Sequence, residues 1–166
     1  MDLHAAVNGE EIGDDDNAAT ILKRGHQSLR KAFASYRGLM HDSAVERAAV
    51  AQDICMQLEL QFAITRDIFY PAMAGGQTRL VSELGDAQDD IQECIETLRG
   101  IKSADSPELD STMVRLMELG DVYFCKERTL IEAAAAGPDD LQTLGARMME
   151  RRKKIAGAVQ DLESRS

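Results

Sequence analysis

Ile54, Leu58 and Ile68 recur at the three- and four-residue steps of one helix face. Continued, that face runs 54, 58, 61, 65, 68, 72. Gln61 and Thr65 therefore stand on an apolar stripe, one turn apart. Polar side chains turned into a helical core need partners there, because an unpaired buried polar group is costly. The pattern constrains the chain to a helical fold that supplies such partners from other elements.

The rest of the chain repeats the pattern. Asn17 is a good N-cap for a first helix, whose stripe is Leu22, His26, Leu29, Phe33, Tyr36 and Met40. Ser43-Ala44-Val45-Glu46 reads as a capping box opening a second helix, which runs to about Tyr70, with Pro71 marking its end or a kink. Gly75-Gly76 makes the turn to a third helix over about 78–102, with Val81, Leu84, Gln88, Ile91, Ile95 and Leu98 on one face. Ser106-Pro107 caps a fourth, which carries Met113, Leu116, Gly120, Tyr123, Glu127, Leu130 and Ala134 to Gly137. A fifth helix begins at Pro138, with an apolar seam of Leu141, Leu144, Met148, Ile155, Val159 and Leu162. Its basic residues Arg147, Arg151, Arg152, Lys153 and Lys154 suit a solvated face packed back on the bundle or on the acidic tail, or a partner-binding helix.

These segments predict an all-α fold. Residues 1–16 read as a flexible acidic tail, 17–136 as an up-down-up-down four-helix bundle with short connections, and 138–163 as an additional C-terminal amphipathic helix packing on the bundle.

Charge narrows the function. A net charge of −10 argues against a general nucleic-acid binder and against docking on an anionic membrane. No run of ~18 apolar residues is present, and the acidic start lacks the apolar stretch of a signal peptide. Cys55, Cys94 and Cys125 show no paired spacing, which suits reduced thiols in a cytoplasm, buried as packing residues.

Each of the first four stripes carries polar residues near one depth. They are His26, then Gln61 and Thr65, then Gln88, then Tyr123 and Glu127. Bundle-core metal sites are built from inward side chains on facing helices, and His26 with Glu127 are the strong donors here, Tyr123 a weaker one. The competing reading is a hydrogen-bonded core network in which His26 pairs with Glu127 and Gln61, Gln88, Thr65 and Tyr123 complete it.

The segments Leu22-Lys23-Arg24-Gly25-His26-Gln27-Ser28-Leu29-Arg30 and Ile54-Cys55 through Ile68-Phe69-Tyr70-Pro71-Ala72 resemble the hemerythrin-like (HHE cation-binding) domains. Ser106-Pro107-Glu108-Leu109 and Leu144-Gly145-Ala146-Arg147-Met148 fit the same family, and the likeness covers about 18–155. The resemblance implies a di-iron centre held by a histidine on helix 1, His-x-x-x-Glu on helix 2, a histidine on helix 3 and His-x-x-x-Glu on helix 4. Carried over, it keeps His26 and Glu127. Gln61, Thr65, Gln88 and Tyr123 fall at former ligand positions now substituted. A register two residues earlier on helix 4 would use Asp121 and Cys125, but it breaks the apolar stripe.

The expectation is therefore a cytoplasmic, non-enzymatic, hemerythrin-like protein that has lost its di-iron site. It would act as a regulatory or interaction module, with another protein or a second copy as partner and no cofactor. The alternative is an oxygen or iron sensor or store with an unusual ligand set, holding non-haem iron through His26, Glu127 and Tyr123. An enzyme using Cys125 with His26 stands third, with no spacing in its favour.

Overall fold

A computed structural model describes residues 16–165, and every regular element among them is helical. The expected acidic tail, apart from Asp16, lies outside the described residues. The elements are α1 (Ala18–Leu39), α2 (Ala44–Ile64), α3 (Thr78–Gly100), α4 (Pro107–Ala136) and α5 (Leu141–Ser164). Beyond Ile64, α2 passes through a π-helical turn (Thr65–Phe69) into a last α-turn (Tyr70–Met73).

Side-chain caps fix most helix starts. Asn17 Oδ1 accepts from the Thr20 N–H at 3.1 Å, Ser43 Oγ from Glu46 at 3.4 Å and Ser106 Oγ from Glu108 at 3.3 Å. The fifth helix was expected from Pro138 and starts later, at Leu141. Asp140 sets that start, its Oδ1 accepting from the Thr143 N–H at 3.1 Å.

The helices share one core. α1 packs on α2 and α4, and α3 packs on α4 along most of its length. Leu22, Leu29, Phe33, Ile54, Leu58, Leu84, Ile91, Leu116, Phe124 and Leu130 are buried within it. Each such side chain contributes about 1.5–3 kcal/mol relative to exposure. At one end of this core the Tyr36 hydroxyl donates to Asp110 Oδ1 at 2.5 Å, and Arg47 Nε reaches the same oxygen at 3.1 Å.

The face projected for α2 fails at its end. Ala72 is exposed, whereas Ile68, Phe69, Tyr70 and Met73 are all buried. The cause is the π turn, in which the Tyr70 N–H bonds to the Thr65 carbonyl five residues back. Pro71 has no N–H to offer the carbonyl four residues before it, and its ring crowds that carbonyl. The wider turn directly precedes this proline, and its extra residue rotates everything that follows.

The inner third of α5 is anchored. Leu144, Gly145 and Met148 are buried, and the helix packs on α1, α2 and the π turn. Gly145 permits close approach, since a Cβ there would lie 2.8 Å from the Asp16 carbonyl oxygen. The expected seam continues past this anchor, but Val159 is 39% and Leu162 68% exposed. No helix is long and apolar enough to cross a membrane among the described residues.

Candidate functional site

Five of the polar residues singled out in the sequence are buried together: His26, Thr65, Gln88, Tyr123 and Glu127. Glu127 is the hub. His26 Nε2 meets Glu127 Oε1 at 2.7 Å. The hydroxyls of Tyr70 and Tyr123 both donate to Glu127 Oε2 and stand 2.7 Å from each other. Gln88 Nε2 donates to the Tyr123 hydroxyl at 2.9 Å, to Thr65 Oγ1 at 2.9 Å and to the Tyr70 hydroxyl at 3.2 Å. Thr65 Oγ1 in turn donates to the carbonyls of Gln61 at 3.0 Å and Phe62 at 3.1 Å, just where the backbone widens.

The network reaches the surface through Arg66. Its Nε donates to Gln88 Oε1, while Nη2 bonds the Gly85 carbonyl at 3.0 Å and Asp89 at 2.5 Å. The guanidinium fixes which way the Gln88 amide points. With Oε1 turned to Arg66, the NH2 group must face the tyrosines and Thr65.

Aromatic rings wall the polar cluster. Phe124 lies 4.8 Å from the His26 ring, and Phe62 meets Tyr123 edge-on at 5.5 Å. Arg30 covers the far face of this wall, 5.7 Å from the Phe124 centroid. In this dry setting, burial pushes both phenols well above the ordinary tyrosine range. The neighbouring Glu127 charge adds to the effect on each. Both tyrosines are therefore neutral donors to Glu127.

Gln61 does not join the network. It is buried, but its side-chain nitrogen has no hydrogen-bond partner. Its amide packs instead against Gly25, where a Cβ would come within 2.6 Å of Oε1. Asp121 and Cys125 lie on the outer side of α4. Asp121 pairs with Arg37 at 3.3 Å, and Cys125 is exposed rather than buried as expected. Cys55 and Cys94 are buried.

Tyr70 and Arg66 are the residues that periodicity missed. From Thr65, α-helical steps lead to Ile68 and Phe69 and then to Ala72. Only a five-residue step reaches Tyr70, and Pro71 was the one sequence signal for it. Arg66 lies on the solvent side of the stripe and reads as an ordinary surface cation.

Comparison of the chain with protein-family models, with curated proteins and with solved structures found no match.

The donor set does not fit the di-iron centre that the resemblance implies. Glu127 and His26 supply one carboxylate and one imidazole, and they are bonded to each other. The other members are a neutral amide, an aliphatic hydroxyl and two phenols that hold their protons. Two iron ions need several anionic or imidazole donors. Among the described residues, no group of three or more His, Cys, Asp or Glu side chains converges in a metal-holding arrangement.

Proposed function

We propose that the chain is a hemerythrin-like up-down-up-down bundle of α1 to α4 in which a metal-free hydrogen-bond network stands at the former di-iron site. It works through protein contact in the cytoplasm and is not an enzyme. One observation carries this reading. Both oxygens of Glu127 are engaged by the protein itself, Oε1 by His26 Nε2 and Oε2 by the hydroxyls of Tyr70 and Tyr123. A carboxylate occupied in this way offers a metal ion little unless three hydrogen bonds are broken. The buried polar cluster specifies how the four helices fit together, since a misaligned helix would strand its polar residue among apolar ones.

The test compares the parent with a variant carrying Gln61→His, Thr65→Glu, Gln88→His and Tyr123→His, together with Tyr70→Phe to free Glu127. Both are grown in iron-rich medium, then assayed for iron content and for thermal midpoint with and without ferrous iron. The expected parent holds far less than one iron per chain, and its midpoint is insensitive to the metal. The variant gains iron, and its midpoint rises on loading because metal binds the folded form. Stoichiometric iron in the parent would overturn the metal-free reading. A folded variant that takes up no iron would overturn the hemerythrin-like placement of these positions.

A further inference from the structure

The face of α5 that begins at Leu141, Leu144 and Met148 continues outward as Ile155, Val159 and Leu162. Its first part is covered by α1, α2 and the π turn. Its outer part is open, with Val159 39% and Leu162 68% exposed. Arg147, Arg151 and Lys154 flank this face, Lys153 stands on the opposite side of the helix, and all four are exposed, while Asp161 and Glu163 neighbour Leu162. Arg151 meets Asp67 at 2.9 Å and Lys154 meets Glu150 at 3.5 Å, both as exposed pairs that are readily exchanged.

The chain enters α1 against this same helix. The Asp16 carbonyl oxygen, the Asn17 carbonyl carbon and the Ala18 nitrogen all lie within 2.9 Å of where a Gly145 Cβ would be. Arg24 holds the Asp16 carboxylate at 2.6 Å. Residues 1–15, which precede this point, contain Asp2, Glu10, Glu11, Asp14 and Asp15 and no lysine or arginine. They also contain the apolar residues Leu3, Val7 and Ile12.

We propose that residues 1–15 are the occupant of the outer half of α5, docking their carboxylates on Arg147, Arg151 and Lys154 and their apolar residues on Ile155, Val159 and Leu162. Three observations select this segment. Its charge is opposite to that of the basic segment 147–154 of α5. Its attachment point is fixed at Gly145 by a close backbone contact. Its length is sufficient, since fifteen extended residues span up to about 50 Å, while Gly145 to Leu162 is roughly 26 Å of helix. Tethering also makes the contact intramolecular, which raises the effective concentration to about millimolar and lets weak surface pairs suffice. A docked segment shields the α5 face from other chains until salt or a competing acidic sequence displaces it.

The experiment uses the full chain, mixed in isotopically light and heavy forms and treated with a zero-length carboxyl-to-amine cross-linker. Mass spectrometry should find Glu10, Glu11, Asp14 or Asp15 joined to Lys154 within chains of one isotope. Hydrogen exchange then compares this chain with a full-length variant carrying Glu10→Gln, Glu11→Gln, Asp14→Asn and Asp15→Asn. Exchange across 155–162 should be on the order of tenfold faster in the variant, and high salt should produce the same change in the parent. Heavy-to-light links as frequent as random pairing of the two forms gives would assign the face to a second copy and overturn the proposal. So would the absence of these links, or exchange across 155–162 that ignores the four neutralised charges.

Discussion

Raising the pH tests the buried network directly, because the chain has three tyrosines and no tryptophan. Tyr70 and Tyr123 are held above the ordinary phenol range by burial and by Glu127. Tyr36 is held up as well, by burial and by its hydrogen bond to Asp110. Unfolded tyrosines release their protons near pH 10, about where the free phenol titrates. Below that pH the folded and unfolded chains hold the same tyrosine protons, and the contribution to stability is complete. Above it the unfolded chain loses three protons that the folded chain keeps, so stability falls as pH rises. The slope is about 1.4 kcal/mol per pH unit for each tyrosine, or about 4 kcal/mol per unit for all three. A domain of ordinary stability, about 5–15 kcal/mol, is exhausted within roughly one to four units above pH 10. The assay follows tyrosinate absorbance and far-ultraviolet circular dichroism on one sample through an alkaline titration. Both should stay flat past pH 10 and then change together as the chain unfolds. A tyrosinate signal rising near pH 10 while the helix signal holds would show a tyrosine open to solvent. Such a signal from two or more tyrosines would include Tyr70 or Tyr123 and refute the closed arrangement around Glu127.

Other perturbations reach separate parts of the site. Gly25→Ala in the parent brings a methyl within 2.6 Å of Gln61 Oε1, so the amide must swing aside and the variant should gain less than alanine usually gains over glycine in a helix. In a Gln61→Ala background it should give the full gain of about 1 kcal/mol; urea unfolding of the four chains measures the difference. Gln88→Leu removes the donor to Thr65, Tyr70 and Tyr123 and strands Arg66 Nε, and should cost about 1–3 kcal/mol. Its thermal midpoint should fall by about 2–4 °C for each of those kcal/mol. Thiol labelling of the native chain should modify Cys125 quickly and the buried pair slowly. Burial pushes the Cys55 thiol up to about 11 and raises Cys94 too, and a thiol reacts as its thiolate. Equal rates at all three, counted by mass spectrometry, would contradict the burial of Cys55 and Cys94.

Period and capping in the sequence determined the helices, because both depend on neighbours within a few residues. The stripe through His26, the stripe through Gln88 and the stripe through Tyr123 and Glu127 need only one helix each to be read. Their shared depth predicted that His26 would meet Glu127, and the two are 2.7 Å apart. Thr65, Gln88 and Tyr123 could be assigned to the same cluster for the same reason. What escaped depends on a break in the helical period or on contacts that no single helix contains. Tyr70 enters the site only because a five-residue turn rotates the end of α2, and that turn follows from backbone hydrogen bonding around Thr65 and Pro71. Gln61 stands on the right stripe, yet Gly25 on another helix leaves a space that its amide fills instead. Arg66 looks like surface charge until α3 brings Gln88 and Asp89 beneath it. Cys125 lies outside the stripe and the fold leaves it in solvent, as it leaves the end of the α5 seam. Helical periodicity says which side of a helix is apolar, but how far along that side a neighbour extends is decided only when the helices pack.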